Sequence, residues 1–257
     1  MRALPALAFA MLTALAPGVG ARAPAIAAAA DLKYALTEIA DAYRRDTGNE
    51  VRIAFGSSGN FTQQIENGAP FELFLSADEA YVDRLAARGF TRDAGALYAI
   101  GRVALFVPNG SPLAADATLA DLGLALRDGR VKRFAIANPD HAPYGRAARE
   151  VLERHRLWPA ISPLLVQGEN ASQAMQFAAS GGAQGGIVPW SLTRAPEVAR
   201  LGTALPLPAE WHRPLRQKMV LLKSAGTHAV AFHDWLGTPM ARRIFVRHGF
   251  ALPGETG

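Results

Sequence analysis

Short apolar runs alternate with helical patterns along most of this chain, and glycines punctuate the joins. "AIAAAADL" predicts a strand of small residues running into the helix "KYALTEIADAYRRDTG". "EVRIAFGSSG" predicts a second strand, with the short helix "NFTQQIENG" after it, and "FELFLSAD" a third before the helix "EAYVDRLAARG". Gly48, Gly68 and Gly89 stand where helices should end, since glycine accepts the left-handed conformation of a C-terminal cap. Repeated strand–helix units argue for a parallel sheet with helices on both faces.

"LYAIGRVALFVP" is a long, nearly continuous apolar strand, suited to carrying the chain from one lobe to another. A second set of units follows: "RFAIANPDHAPYG" and its helix "RAAREVLERHRL", then "LLVQGEN" and "ASQAMQFAASGG", then "AQGGIVPWSL". Near Pro214 the chain turns back through the strand "RQKMVLLKS" into two helical pieces broken at Gly237-Thr238-Pro239. The pattern predicts a two-lobe α/β protein. Residues 24–104 and 213–257 would make the first lobe and residues 105–212 the second.

The opening segment changes the picture of where the chain works. "MRALPALAFAMLTALAPGVGARA" places Arg2 before an apolar stretch and ends in small residues, the layout of a secretory signal peptide over residues 1–23, cleaved near Ala21-Arg22-Ala23. Its removal takes away Arg2 and Arg22 and lowers the formal charge from +5 to +3. The remaining cations are scattered among acids, as in "AYRRDTGNE", which argues against a nucleic-acid partner; "RDGRVKRF" reads as an exposed basic loop. The chain has no cysteine, so disulfides, thiolate metal sites, a cysteine nucleophile and a lipidated leader cysteine are excluded.

Candidate chemistry gathers at four strand-to-helix junctions: Ala30-Asp31, Gly56-Ser57-Ser58-Gly59, Pro143-Tyr144-Gly145 and Glu169-Asn170-Ala171-Ser172. Ligands of open α/β sheets bind outside the carboxyl ends of strands. Helix N-termini there expose unpaired N–H groups and a partial positive charge. Several such ends facing one another could enclose a small oxyanion with dipoles alone, although Ser and Asn are also ordinary caps. Enzyme signatures are weak. "FGSSGN" is not a nucleophile elbow, and His141, His155, His212, His228, His233 and His248 show no metal-ligand spacing. Neither a phosphate loop nor a dinucleotide fingerprint occurs, and "ASGGAQGG" follows a helix instead of opening one. Trp190 and Trp211 read as packing residues. An exported serine hydrolase using Ser58 with His141 stays open, as does a ligand-sensing module.

Taken together, "AAAADL", "FGSSGNFTQQIENGAPFELFLSADE", "YAIGRVALF", "ANPDHAPYGRAAREVL", "GENASQAMQFAASGGAQGGIV" and "RHGFALP" resemble the molybdate-binding proteins of ABC importers, with "QIENGAPFELFLSAD" the most specific stretch. The resemblance implies a type II periplasmic binding protein, two α/β lobes joined by a hinge with the ligand in the cleft. It implies a monomer that captures molybdate or tungstate without catalysis or cofactor and delivers it to a membrane permease. Molybdenum would enter only as the oxyanion, with no protein atom on the metal. The ligand positions implied are Asp31, Ser57, Ser58, Tyr144 and Ala171, with Ser58 giving its hydroxyl and N–H and Tyr144 and Ala171 giving N–H groups. A tyrosine that often reaches in from the second lobe of such proteins falls on Pro189 here.

Asp31 departs from the family pattern, which has a neutral hydrogen-bonding residue at that position. Two unit charges about 4 Å apart interact by roughly 4 kcal/mol at an effective dielectric of 20, and a dianion doubles this. Three outcomes stay open. Asp31 turns back to cap its own helix, or it or the anion carries a proton, or the site takes another oxyanion.

Overall fold

The computed structural model describes residues 22–254, so the leader read over residues 1–23 lies outside the described residues except for its last two. Two five-stranded sheets divide the chain. The first collects β1 (Ala25–Ala29), β2 (Arg52–Gly56), β3 (Leu73–Ser76) and β4 (Ala96–Gly101). The second holds β5 (Val103–Pro108), β6 (Phe134–Ala137), β7 (Leu165–Gly168), β8 (Gly185–Pro189) and β9 (Gly202–Pro206), after which β10 (Leu215–Leu221) rejoins the first.

The strand orders are β2-β1-β3-β10-β4 and β7-β6-β8-β5-β9. They are the same order. In each sheet three parallel strands are followed by an antiparallel one, and that strand is the first the chain makes after crossing from the other sheet. This is the two-lobe arrangement that the resemblance implies. The first crossing falls at Arg102, two residues ahead of the boundary placed after residue 104. Val103 and Ala104 pair with Pro189 and Val188 in the second sheet. The return falls between Pro206 and Leu215.

The helices are α1 (Lys33–Thr47), α2 (Ser58–Glu66), α3 (Glu79–Ala87), α4 (Ala120–Arg127), α5 (Pro143–Arg154), α6 (Trp158–Ile161), α7 (Ala171–Ala179), α8 (Trp190–Thr193), α9 (Pro196–Ala199), α10 (Thr227–Leu236) and α11 (Pro239–Arg247). A single 3₁₀ turn, Ala30–Leu32, joins β1 to α1. Gly48, Gly68 and Gly89 all lie at positive φ just past their helices, as expected of terminal glycines.

Strand alternation decides which helix covers which face of the first sheet. Ile26 and Ala28 point to Leu36 and Ile39 of α1 and to Phe232 and Phe245 of α10 and α11. Ala27 points the other way, to Phe61 and Ile65 of α2 and Val82 and Leu85 of α3. The second lobe closes around Phe106, Phe134, Ile136, Val151 and Leu152. Each fully buried side chain of this size contributes about 1.5–3 kcal/mol, so each lobe has a core of its own. The carboxyl ends of β1, β2, β6 and β7 are thereby held toward one shared cleft. Among the described residues, no helix is long and apolar enough to cross a membrane.

Candidate functional site

Ala30, Asp31, Ser57, Ser58, Ala77, Pro143, Tyr144 and Ala171 line one small cavity between the lobes, with a volume of about 10 Å³. All five positions singled out in the sequence are therefore brought together. Wider grooves open elsewhere, one along α7 beside Lys33, Gln176 and Arg200. The small cavity differs from them because buried polar groups converge on it.

Ser57 caps α2: its extended backbone lets the side chain accept from the Asn60 N–H at 3.3 Å. Ser58 follows as the first helical residue, and its Oγ accepts from the Ala77 N–H at 3.0 Å. That bond uses the oxygen and leaves the hydroxyl proton free to donate. Asn170 caps α7 in the same way, accepting from the Gln173 N–H at 3.0 Å. Pro143 opens α5, where a missing N–H costs nothing. The N–H groups of Ser58, Tyr144 and Ala171 have no hydrogen-bond partner among the described residues. Each sits in the first turn of a helix of nine residues or more, where the dipole favours negative charge.

The lobes meet across the cavity. The Gly59 N–H donates to the His141 carbonyl at 2.9 Å, and Ser172 Oγ and Ser191 Oγ donate to the carbonyls of Ala30 and Asp31, both at 2.9 Å. Ser57 Oγ lies 3.0 Å from His141 Nδ1, whose other nitrogen is 3.4 Å from Glu169. The histidine thus pairs with Ser57 and not with Ser58. In a neighbouring groove, Arg146 of α5 reaches Asp78 at 3.0 Å. Pro189 does not line the cavity; it pairs with Val103 at the end of β8.

Beneath the donors lies a buried polar network. Gln217 Nε2 donates to Asp31 Oδ2 at 2.6 Å and to the Tyr144 hydroxyl at 3.2 Å, and Gln217 Oε1 accepts from Tyr98 at 2.7 Å. Tyr144 belongs to the second lobe but reaches into the first, where Gly101 leaves room for its hydroxyl. Asp31 is 1% exposed and does not cap its own helix; Oδ1 has no partner among the described residues. Burial pushes its carboxyl up to about 6, and the Gln217 amide and Tyr144 hydroxyl offset part of that rise. Burial, and then the nearby Asp31 charge, hold the Tyr98 and Tyr144 hydroxyls protonated well above the usual range.

Gln217 was not anticipated, although a signal existed. In "LRQKMVL" it shares inward parity with Leu215 and Met219, so a polar residue was placed on the buried face. Ser172 and Ser191 carried no comparable signal, because both act on main-chain carbonyls of the other lobe.

A family model for bacterial extracellular solute-binding proteins matches residues 25–251. The chain belongs to that family. It is 35% identical over 230 residues to the molybdate-binding protein ModA of Azotobacter vinelandii, covering 88% of this chain and 89% of that one. Against ModA of Rhodobacter capsulatus it is 35% identical over 248 residues, covering 95% and 94%. The solved structure of the Azotobacter vinelandii periplasmic molybdate-binding protein superposes with a TM-score of 0.80 at 30% identity, covering 90% of this chain and 99% of that one. These relatives are binding proteins rather than enzymes, so the hydrolase reading of Ser58 and His141 falls away. The solute-binding fold also accounts for the cavity's position, between two lobes that each supply helix ends to it.

Proposed function

We propose that this protein captures molybdate, or tungstate, outside the cytoplasm and delivers it to the permease of an ABC importer. The observation that carries the reading is the convergence of three unpartnered N–H groups, at Ser58, Tyr144 and Ala171, on one small interlobe cavity with the free Ser58 hydroxyl. Such preorganised donors replace the hydration shell of an anion without a cationic side chain, and cavity size then discriminates among oxyanions. The names of the relatives supply the identity of the anion. Ser57, Ser58, Tyr144, Ala171 and Asp31 are the ligand-contacting positions in this reading. The protein acts as a monomer in the periplasm after removal of the leader near Ala21–Ala23. Its two lobes, joined at Arg102 and between Pro206 and Leu215, move about these two crossings.

Asp31 favours a second reading, in which the anion is another, proton-bearing tetrahedral oxyanion. Calorimetric titration with molybdate, tungstate, sulfate and phosphate separates the two. Tight binding of the first pair with sulfate and phosphate silent supports the first reading. Binding of phosphate alone supports the second.

A further inference from the structure

The cavity's donors and its carboxyl disagree in sign. Ser58, Tyr144 and Ala171 offer N–H groups, and Ser58 a hydroxyl, all suited to negatively charged oxygens. Asp31 lines the same cavity, buried, with Oδ1 unpartnered among the described residues. An ionised carboxylate only accepts hydrogen bonds, and so does a fully ionised oxyanion. Brought together they repel unless a proton lies between them, in which case they form the short charge-assisted class of O–H···O⁻ bond.

Among the described residues, the surroundings of Asp31 provide no cation to relieve that conflict. From β10 comes the neutral Gln217, which uses Oδ2; from α5 and β4 come the hydroxyls of Tyr144 and Tyr98. Ser191 of α8 and Ser172 of α7 donate to main-chain carbonyls, and α2 contributes Ser57 and Ser58. Among the described residues no lysine or arginine lines the cavity, and Lys33 opens on a separate groove. His141, before α5, is engaged by Ser57 on one nitrogen and lies 3.4 Å from Glu169 on the other.

Resting on the reading of this cavity as an oxyanion site, we infer that the anion enters with one proton, shared between the Asp31 carboxyl and a ligand oxygen. Asp31 then determines both which protonation state is captured and the pH range of capture. The proton comes from solvent. In the free protein the carboxyl titrates at about 6, so above that pH it is ionised and each binding event must take up one proton. Affinity should weaken about tenfold per pH unit above ~6 and level off below it.

The test is calorimetric titration of the purified protein with molybdate, tungstate, sulfate and phosphate at pH 5.5, 6.5, 7.5 and 8.5. Two buffers of different ionisation enthalpy at each pH give the number of protons exchanged. The expected result is about one proton taken up per anion at pH 7.5 and above, with the tenfold-per-unit loss of affinity. Asp31→Asn should abolish both and bind molybdate more tightly than the parent at pH 8.5. His141→Gln should retain the uptake, and the parent's proton count decides the matter if Asp31→Asn fails to fold. Molybdate bound with pH-independent affinity and no uptake overturns the inference and leaves the molybdate reading standing. Uptake that survives in Asp31→Asn but vanishes in His141→Gln overturns it too. Phosphate or sulfate bound with uptake, and molybdate not, supports the proton coupling and removes molybdate as the ligand. No binding of any of the four overturns both.

Discussion

Gly59 and His141 touch backbone to backbone across the cleft, the Gly59 N–H on the His141 carbonyl at 2.9 Å, and a methyl group at position 59 would come within 2.6 Å of that oxygen. The lobes can approach this closely because the residue has no Cβ. Gly59→Ala should therefore fold normally, with helix stability gained by up to about 1 kcal/mol, and yet fail to close fully. Anion affinity should drop at least about tenfold while thermal stability holds or rises. Calorimetry and small-angle scattering with ligand check this, and full compaction of the variant would disprove it.

Asp31 should be a burden on the unliganded protein at neutral pH. Its carboxyl titrates at about 6 in the folded chain against 3.8 as the ordinary value. The folded state therefore binds more protons than the unfolded one between those values. The stability present below pH ~4 is lost as pH rises through 6, and amounts to about 3 kcal/mol by pH 7.5. Asp31→Asn should be the more stable form at pH 7.5 by up to that amount and gain little at pH 4. Urea unfolding at the two pH values measures the difference.

Ser58 serves the fold and the cavity with one oxygen. Ser58→Ala strands the Ala77 N–H in a buried position, at a cost of about 1–3 kcal/mol, and removes the free hydroxyl donor. Both chemical denaturation and anion titration should register the change, the latter as a loss of about tenfold or more. An unchanged affinity would place the ligand elsewhere.

Gln217→Leu removes the amide that favours ionised Asp31 and leaves the Tyr98 hydroxyl without its shorter bond. The pH at which affinity begins to fall should move upward, and stability should drop by about 1–3 kcal/mol. A pH series of titrations on parent and variant gives the direction.

Arg146 ties the lobes together beside the cavity's neighbouring groove through Asp78, with both side chains about one-fifth exposed. A partly solvated pair of this kind contributes about 1 kcal/mol. Arg146→Met should speed anion release several-fold and make the release rate less sensitive to salt. Stopped-flow displacement at two ionic strengths tests it.

Features that depend on neighbouring residues were legible in the sequence. Gly48, Gly68 and Gly89 announced helix ends, and the paired serines announced a capped helix start, although α2 begins at Ser58, two residues before "NFTQQIENG". The run "LYAIGRVALFVP", read as one strand passing between lobes, is two strands in different sheets, β4 partly exposed and β5 buried throughout, with the break at Arg102. Helix α4 escaped notice for a local reason of another kind. Leu119 enters it at φ 61° without capping, and Asp116 instead accepts from the N–H groups of Ala120 and Asp121. The Asp31–Gln217 bond joins residues 186 apart, a distance over which no spacing rule operates.

The single residue between β4 and β5 sets the terms on which the two halves meet. The Arg102 carbonyl is held by the Trp190 N–H at 2.9 Å, so even this joint is pinned to the second sheet. A tether so short keeps the donors of Tyr144 and Ala171 at a high effective concentration beside those of Ser58, millimolar at the least. Their encounter is therefore a bending motion on the microsecond-to-millisecond scale and no second-order search. An anion that slips from one half is still opposite the other.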